Sequence, residues 1–493
     1  MNHALIAFLV YLFGMVLAGT IAARFTKTIE DFGLGGRKLG AWVIALSEKS
    51  TDMSTWLLVG LPGQAFKIGI GTIWALIGVF FGSLANWVVI AERLRKFSIR
   101  FSAITLPDYF ESRFKDKSHT LRIVGMILIV FFFTLYVSAQ CVGAGKILSA
   151  TFTLSKVQGM AIALGFIIFY TMAGGFLAEA WTDFFQALIM MIGLSLLSIV
   201  GIVKIGGMAE LVRGVASVSP KALTVGGGAT GLAMFVGVVI GGLAIGLGYA
   251  GQPHIVTRYM ALSKKSKMSV AAWIAMVWTF IVLIGAVMVG IVGLATLGTL
   301  DDPETVTTSL AAAILPPWLV GVIIAAATAA MMSTVDSQLL IAATSVAEDF
   351  WRNLINRVAT QQRLLLVGRL ATVAIGVVAF LLGIKAERAV YWLVLYAWGG
   401  LAASFGPPLI LSLRWKRTTK WGVLAGMIVG AVTIVVWYNV PVLKNSLYEL
   451  VPGFVFSLIA VIVVSLLGPK APKEVEEEYG KVARMTTEQI GAS

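Results

Sequence analysis

Thirteen apolar stretches recur along this chain. They lie near residues 4–24, 40–66, 70–92, 122–148, 156–174, 180–204, 228–250, 268–297, 306–346, 366–385, 389–413, 420–440 and 450–468. A helix needs about 20 such residues to cross a bilayer. A segment in lipid must satisfy its own backbone hydrogen bonds, and apolar runs of this length do so as helices. The fold class is therefore an all-α polytopic membrane protein with 13 transmembrane helices. The 306–346 run is longer than one span requires. The first run ends at Arg24 without a small-residue cleavage site, so it reads as a span and not as a signal peptide.

Composition agrees: 13% of the residues are charged, against about 25% in soluble domains. The net charge of +14 would suggest a nucleic-acid partner in a soluble protein, but here it follows topology. Of 38 Lys and Arg residues, 28 fall in the loops on one side, 9 on the other, and Lys49 lies inside a segment. The positive-inside rule then puts the N-terminus outside and the C-terminus inside. Residues 1–468 read as one transmembrane domain, and 469–493, rich in glutamate, as a mobile cytoplasmic tail. The expected partners are the lipid bilayer and a small-molecule substrate, with no nucleic acid. Cys141 is the only cysteine, and His3, His119 and His254 are far apart, so neither a disulfide nor a histidine metal site is expected. No nucleophile–base pair is visible, so the chain does not read as an enzyme, and no cofactor is expected.

The second segment is the informative one. Its middle reads SEKSTDMSTW, placing Glu48, Lys49 and Asp52 among hydroxyl residues at bilayer depth. Each such charge costs about 3 kcal/mol unless it pairs or meets water. Irregular backbone at this depth is tolerated only where protein buries it or it lines a cavity. This stretch is predicted to be a broken helix at a transport site. A second interruption is predicted in the glycine-rich run Gly226 to Gly251, which leads into Gln252, Pro253 and His254; ordinary small-residue helix packing is the alternative. The two interrupted segments are the second and the seventh. Breaks in corresponding places of two halves point to an inverted-repeat carrier. Segments 2–6 (residues 39–205) and 7–11 (226–415) would form the repeats.

On the ninth segment, Ala330, Ser333, Thr334 and Ser337 share a helix face, and Asp336 borders it. Hydroxyls facing opened backbone could hold a hard cation such as sodium; alternatively they bond their own helix carbonyls. In the sixth segment, Asp183 is a functional candidate, while Glu179 reads as an interfacial residue reaching water. Tyr136 and Gln140 share a face of the fourth segment.

These pieces resemble the sodium:solute symporter family, in its sodium/proline branch. The resemblance runs from about Tyr11 to Leu467. It is carried by LGGRKLG (34–40), TDMSTWLLVGLPG (51–63), ITLPDYFESRF (104–114), FFTLYVSA (132–139), GGFLAEAWTDFFQA (174–187), GLGYAGQPHIVTRYMA (246–261), AAMMSTVDSQLL (329–340) and EDFW (348–351). It implies sodium held by carbonyls near Ser50 and Met53, the carbonyl of Ala330 and the hydroxyls of Ser333 and Thr334. It implies a substrate site at Asp52, Ser54, Thr55, Tyr136, Ile245, Tyr249 and Pro253. A second cation site would use Asp183, Ser333, Asp336 and Ser337.

The chain also departs from the branch. It has Glu48 and Lys49 where proline carriers have small residues, Thr55 for Gly, Ile245 for Trp, and Asp336 for a serine-like residue. The aromatic wall for a pyrrolidine ring is expected to be reduced. Lys49 and Glu48 are coupling candidates. Lys49 could pair with Asp52, Asp183 or Asp336, as a structural ion pair or as a stand-in for a sodium ion.

The expected function is a sodium-coupled symporter that imports a small organic solute by alternating access. Proline comes first, and the sodium ion is a co-substrate. Proton-coupled or mixed-ion symport of another amino acid or small carboxylate, using Lys49, is the alternative. A membrane solute sensor reusing this fold is an alternative of another class.

Overall fold

In the computed structural model, which describes residues 2–24, 27–386 and 389–485, the regular elements are helices. The principal ones are α1 (Asn2–Ala23), α2 (Ala41–Thr55), α3 (Leu61–Ile68), α4 (Ile73–Asn86), α5 (Thr120–Thr151), α6 (Lys156–Ile205), α7 (Pro253–Ala261), α8 (Met268–Leu297), α9 (Pro317–Thr344), α10 (Gln361–Ile384), α11 (Val390–Arg414), α12 (Lys420–Asn439), α13 (Leu450–Leu467) and α14 (Lys473–Arg484). Among the described residues, 10 helical stretches are long and apolar enough to cross a membrane. One of them, Ala41–Arg100, contains both the second and third expected segments. The first and fifth expected segments appear as shorter apolar helices, Leu5–Ala18 and Lys156–Met172.

Helix α9 is the central post: every residue from Ile323 to Thr344 is buried. A helix buried all round must find partners for its polar groups within the protein, and this one carries Ser333, Thr334, Asp336, Ser337 and Gln338. It packs on α2, α5 and α6. The long 306–346 run resolves into a short helix, Val306–Ile314, followed by α9. Leu315 is extended ahead of Pro316 and Pro317, as residues before proline tend to be.

The fifth and sixth segments join without a loop. Helix α6 has 50 residues, about 75 Å if straight, but Gly175 breaks it at φ 58°, ψ −163°. A Cβ there would lie 2.9 Å from the Phe32 ring, so both the backbone angle and the close approach call for glycine.

The tail departs from expectation. Residues 473–484 form α14, which docks on the helical segments Glu92–Arg100 and Leu106–Phe114. Val475, Tyr479 and Val482 are buried at i, i+4 and i+7 spacing. The Tyr479 hydroxyl donates to the Leu413 carbonyl at 3.2 Å. Lys115 pairs with Glu474 at 3.1 Å, and Lys416 with Glu476 at 3.1 Å. The glutamates that made this stretch look like a solvated tail are the outer face of an amphipathic helix. The remainder of the expected tail, 486–493, lies outside the described residues.

Candidate functional site

Helix α2 breaks at one residue. Ser54 takes φ 52°, ψ −173°, a backbone conformation that costs a side-chain-bearing residue on the order of 1–3 kcal/mol. Its hydroxyl accepts the Trp56 N–H at 3.1 Å, capping the turn that leads into α3. The last four carbonyls of a helix end, here Ser50 to Met53, fall short of their usual partners. Two of them turn to α9: Ser333 Oγ donates to the Ser50 carbonyl at 2.9 Å, and Thr334 Oγ1 to the Thr51 carbonyl at 2.8 Å. Both hydroxyls also reach the Ala330 carbonyl, at 3.2 and 3.1 Å. Five oxygens from two helices therefore converge, all on buried residues. The Met53 carbonyl instead accepts the Trp56 N–H. The carbonyl that joins the cluster unannounced is that of Thr51.

The other break is at Gln252, whose backbone is extended (φ −95°, ψ 104°) between the irregular turns of Ile245–Gly251 and α7. Pro253 opens α7 at a position where the missing N–H is no loss. The two breaks flank a small buried cavity lined by Asp52, Met53, Ser54, Trp56, Val79, Tyr136, Ile245, Tyr249, Val394, Leu395 and Trp398. Its volume is about 20 Å³, enough for a water molecule, which takes about 10–15 Å³ on this measure. A solute the size of an amino acid needs the walls to part. Of the seven expected substrate residues, five line this cavity. Thr55 does not: its N–H and hydroxyl both donate to Gln140 Oε1, at 3.0 and 2.6 Å. Pro253 does not line it either.

The expected loss of aromatic wall is made good from another helix. Trp398 of α11 donates from its indole to the Ile245 carbonyl at 3.1 Å and meets the Tyr249 ring edge to face, centroids 5.2 Å apart. Gly248 permits this, since a Cβ there would lie 1.8 Å from the indole nitrogen. Trp56 and Tyr136 complete the aromatic lining.

Two buried charge clusters flank the converging oxygens. In the first, Lys49 Nζ contacts Asp52 at 2.9 Å, Ser83 Oγ at 2.7 Å and Glu48 at 3.2 Å. Tyr249 donates to the same Asp52 oxygen at 2.9 Å, and Tyr259 donates to Glu48 at 3.2 Å. Of the partners considered for Lys49, the structure selects Asp52. Asp52 is 5% exposed, while the polar residues around it from Ser47 to Thr55 are at 0%; it is the charged residue of the run that lines the cavity.

In the second cluster, Arg258 bonds Ser47 Oγ (3.0 Å), Asp183 (2.9 Å), Ser337 Oγ (2.6 Å) and Glu179. Asp183 Oδ2 also accepts from Ser47 (2.7 Å) and Thr51 (3.1 Å). The Thr51 hydroxyl lies 2.9 Å from that of Ser337. Asp183 and Ser337 are thus brought together as expected, but around a guanidinium. Asp336 turns aside to Tyr170, which donates to it at 2.6 Å. Glu179, expected at the interface, is buried at 3% exposure. Arg258 itself escaped the sequence reading because it counts as a loop charge; its place four residues after His254, on the helix that follows the break, was the available signal.

A buried cavity between two broken helices, backed by a hydroxyl-bearing central helix, defines a membrane carrier. The chain belongs to the sodium:solute symporter family, whose pattern it matches over residues 32–430. It is 41% identical to the high-affinity proline transporter PutP of Bacillus subtilis, over 94% of this chain and 98% of that protein. It is 40% identical to the sodium/proline symporter of Escherichia coli, over 95% and 93%. Among solved structures, a sodium-coupled sialic acid symporter in a substrate-bound outward-open state matches with TM-score 0.75 and 18% identity, covering 95% of this chain and 99% of that one. MhsT in complex with L-phenylalanine matches with TM-score 0.52 and 17% identity, covering 86% and 97%. These two likenesses concern the fold alone.

Proposed function

We propose that this protein is a sodium-coupled symporter that imports proline across the cytoplasmic membrane by alternating access. Its relatives are named for that activity and are similar along nearly the whole chain. The observation that carries the reading is the meeting of the Ser333 and Thr334 hydroxyls with the Ser50, Thr51 and Ala330 carbonyls. A monovalent hard cation fits such a neutral oxygen set. Charge favours it too: on either side, two carboxylates share one basic group. With all four ionised, the surroundings are net negative. A sodium ion here ties α2 to α9 beside the cavity, so ion and solute each raise the affinity for the other.

The solute occupies the cavity at Asp52, Ser54, Tyr136, Ile245 and Tyr249, with Trp56 and Trp398 as its aromatic walls. The test is proline uptake into vesicles against sodium concentration. Ser333→Ala and Thr334→Ala are each expected to raise the sodium needed for half-maximal uptake by about tenfold, the size of one lost bond to a charged group. Unchanged sodium dependence in both variants removes the ion assignment. Uptake driven by a pH gradient without sodium would instead favour proton coupling.

We also infer thirteen crossings with the N-terminus outside and the C-terminus inside, and the inverted repeat over 39–205 and 226–415. The two breaks, in the second and seventh segments, support the repeat. In a Cys141→Ser background, a cysteine placed in the 486–493 tail is expected to react with an impermeant maleimide only in inside-out vesicles. Labelling from outside in intact cells would reverse the topology.

A further inference from the structure

A groove of about 840 Å³ lies between the α4–Arg100 helix and the start of α8 and shares no lining residue with the cavity of the transport site. It has two unlike halves. One is a basic rim: Lys264, Lys265 and Lys267, all exposed, on the connection from α7 to α8. The other is an apolar wall that includes Leu84, Val88, Trp273 and Met276. Trp273 and Val88 are 74% and 67% exposed on helices apolar enough to span the membrane, so this wall faces the acyl chains. The rim is held in place. Arg95 donates to the Ser263 carbonyl at 2.5 Å and the Ser266 carbonyl at 3.3 Å, and the Ser263 N–H bonds the Leu39 carbonyl at 2.9 Å. Glu92 is the single acid among the groove residues, against Arg95 and the three lysines.

We propose that this groove is a binding site for an anionic phospholipid, its phosphate at the lysine rim and an acyl chain along Leu84, Val88, Trp273 and Met276. Both halves are needed for that assignment. A soluble phosphate would leave the apolar wall bare, and a zwitterionic lipid would leave the excess positive charge uncompensated. Basic pockets between membrane helices select anionic headgroups because each lysine or arginine near the surface adds attraction, while the wall excludes water. The lipid would clamp the α7–α8 connection to the α4 helix. Trp87, another groove residue, packs tilted against Tyr259 with ring centroids 4.6 Å apart, and the Tyr259 hydroxyl reaches Glu48 of the broken helix. Occupancy is thereby mechanically close to α2.

The test is thermal stabilisation of the purified full-length protein by added phosphatidylglycerol, phosphatidylcholine, or glycerol phosphate. A ligand that prefers the folded state raises its stability in proportion to occupancy. Phosphatidylglycerol is expected to stabilise strongly and the other two weakly. The Lys264→Gln/Lys265→Gln/Lys267→Gln variant is expected to need roughly tenfold or more phosphatidylglycerol for the same shift. Ala272→Trp, which fills the groove and keeps every lysine, is expected to do the same. Retention of the lipid preference by either variant overturns the site, as does equal stabilisation by glycerol phosphate. The readout involves no transport, so it stands or falls separately from the sodium and proline assignments.

Discussion

Arg258→Met is expected to unfold the protein or lower its melting temperature sharply, and to leave no measurable uptake. Glu179 and Asp183 share this one guanidinium inside the bundle, and among the described residues Glu179 Oε2 and Asp183 Oδ1 have no hydrogen-bond partner of their own. Removing one member of a buried ion pair costs about 3–5 kcal/mol, because the other charge is stranded. Arg258 also ties Ser47 of α2 to Ser337 of α9, so the helices that carry the converging oxygens lose a common anchor. The charge account makes a second, opposite expectation. Adding Glu179→Gln and Asp183→Asn to Arg258→Met removes the stranded charges and should recover much of the melting temperature, though not transport. Differential scanning fluorimetry of the three proteins decides it. A wild-type melting temperature in Arg258→Met would mean that the cluster holds nothing together.

Asp52→Asn separates function from stability in the other cluster. This carboxylate is the charged group of the run that lines the cavity. On the proposed reading its loss would remove the negative charge facing the solute's ammonium, and uptake should fall by about a hundredfold or more, the size of two lost charge-assisted contacts. Folding should survive, because Lys49 keeps Glu48 at 3.2 Å and Ser83 at 2.7 Å. Lys49→Met is the converse. It strands two buried carboxylates, Glu48 and Asp52, and should destabilise by about 3–5 kcal/mol. The Lys49→Met/Glu48→Gln pair restores one carboxylate's neutrality while leaving Asp52 in place. Sodium-driven uptake in that double variant would show Lys49 to be a structural counter-charge. Its complete loss, in a protein that still melts cooperatively, would assign Lys49 a part in coupling. Normal uptake by Asp52→Asn would remove Asp52 from the solute site.

Much of this architecture is visible in one dimension. Lipid leaves a chain little choice but helices, so apolar runs mark out elements well, and a charged triplet such as Glu48, Lys49 and Asp52 within a run marks a place that is not lipid. The Ser333–Thr334 pair was legible for the same reason: helical spacing puts it on one face with Ala330. Spacing fails where a helix is interrupted. Thr55 sits one residue beyond the break at Ser54, so the chain's change of direction sends it to Gln140 and away from the cavity. Pro253 serves to restart a helix. Arg258 reads as a loop charge along the chain, because counting residues does not register that α7 is buried throughout after Gln252.

Residue order alone therefore carried the all-helical membrane class, the two interrupted helices, the hydroxyl face of α9 and the family motifs. These depend on local periodicity and on the cost of polar groups in lipid, both short-range quantities. Contacts between residues far apart in the chain settled the rest: that Arg258 stands between Asp183 and Ser337, that Trp398 supplies the wall Ile245 does not, and that the acidic tail docks as a helix. Those outcomes depend on how helices cross and on which close approaches glycines such as Gly248 permit. Packing of that kind is a property of the assembled bundle.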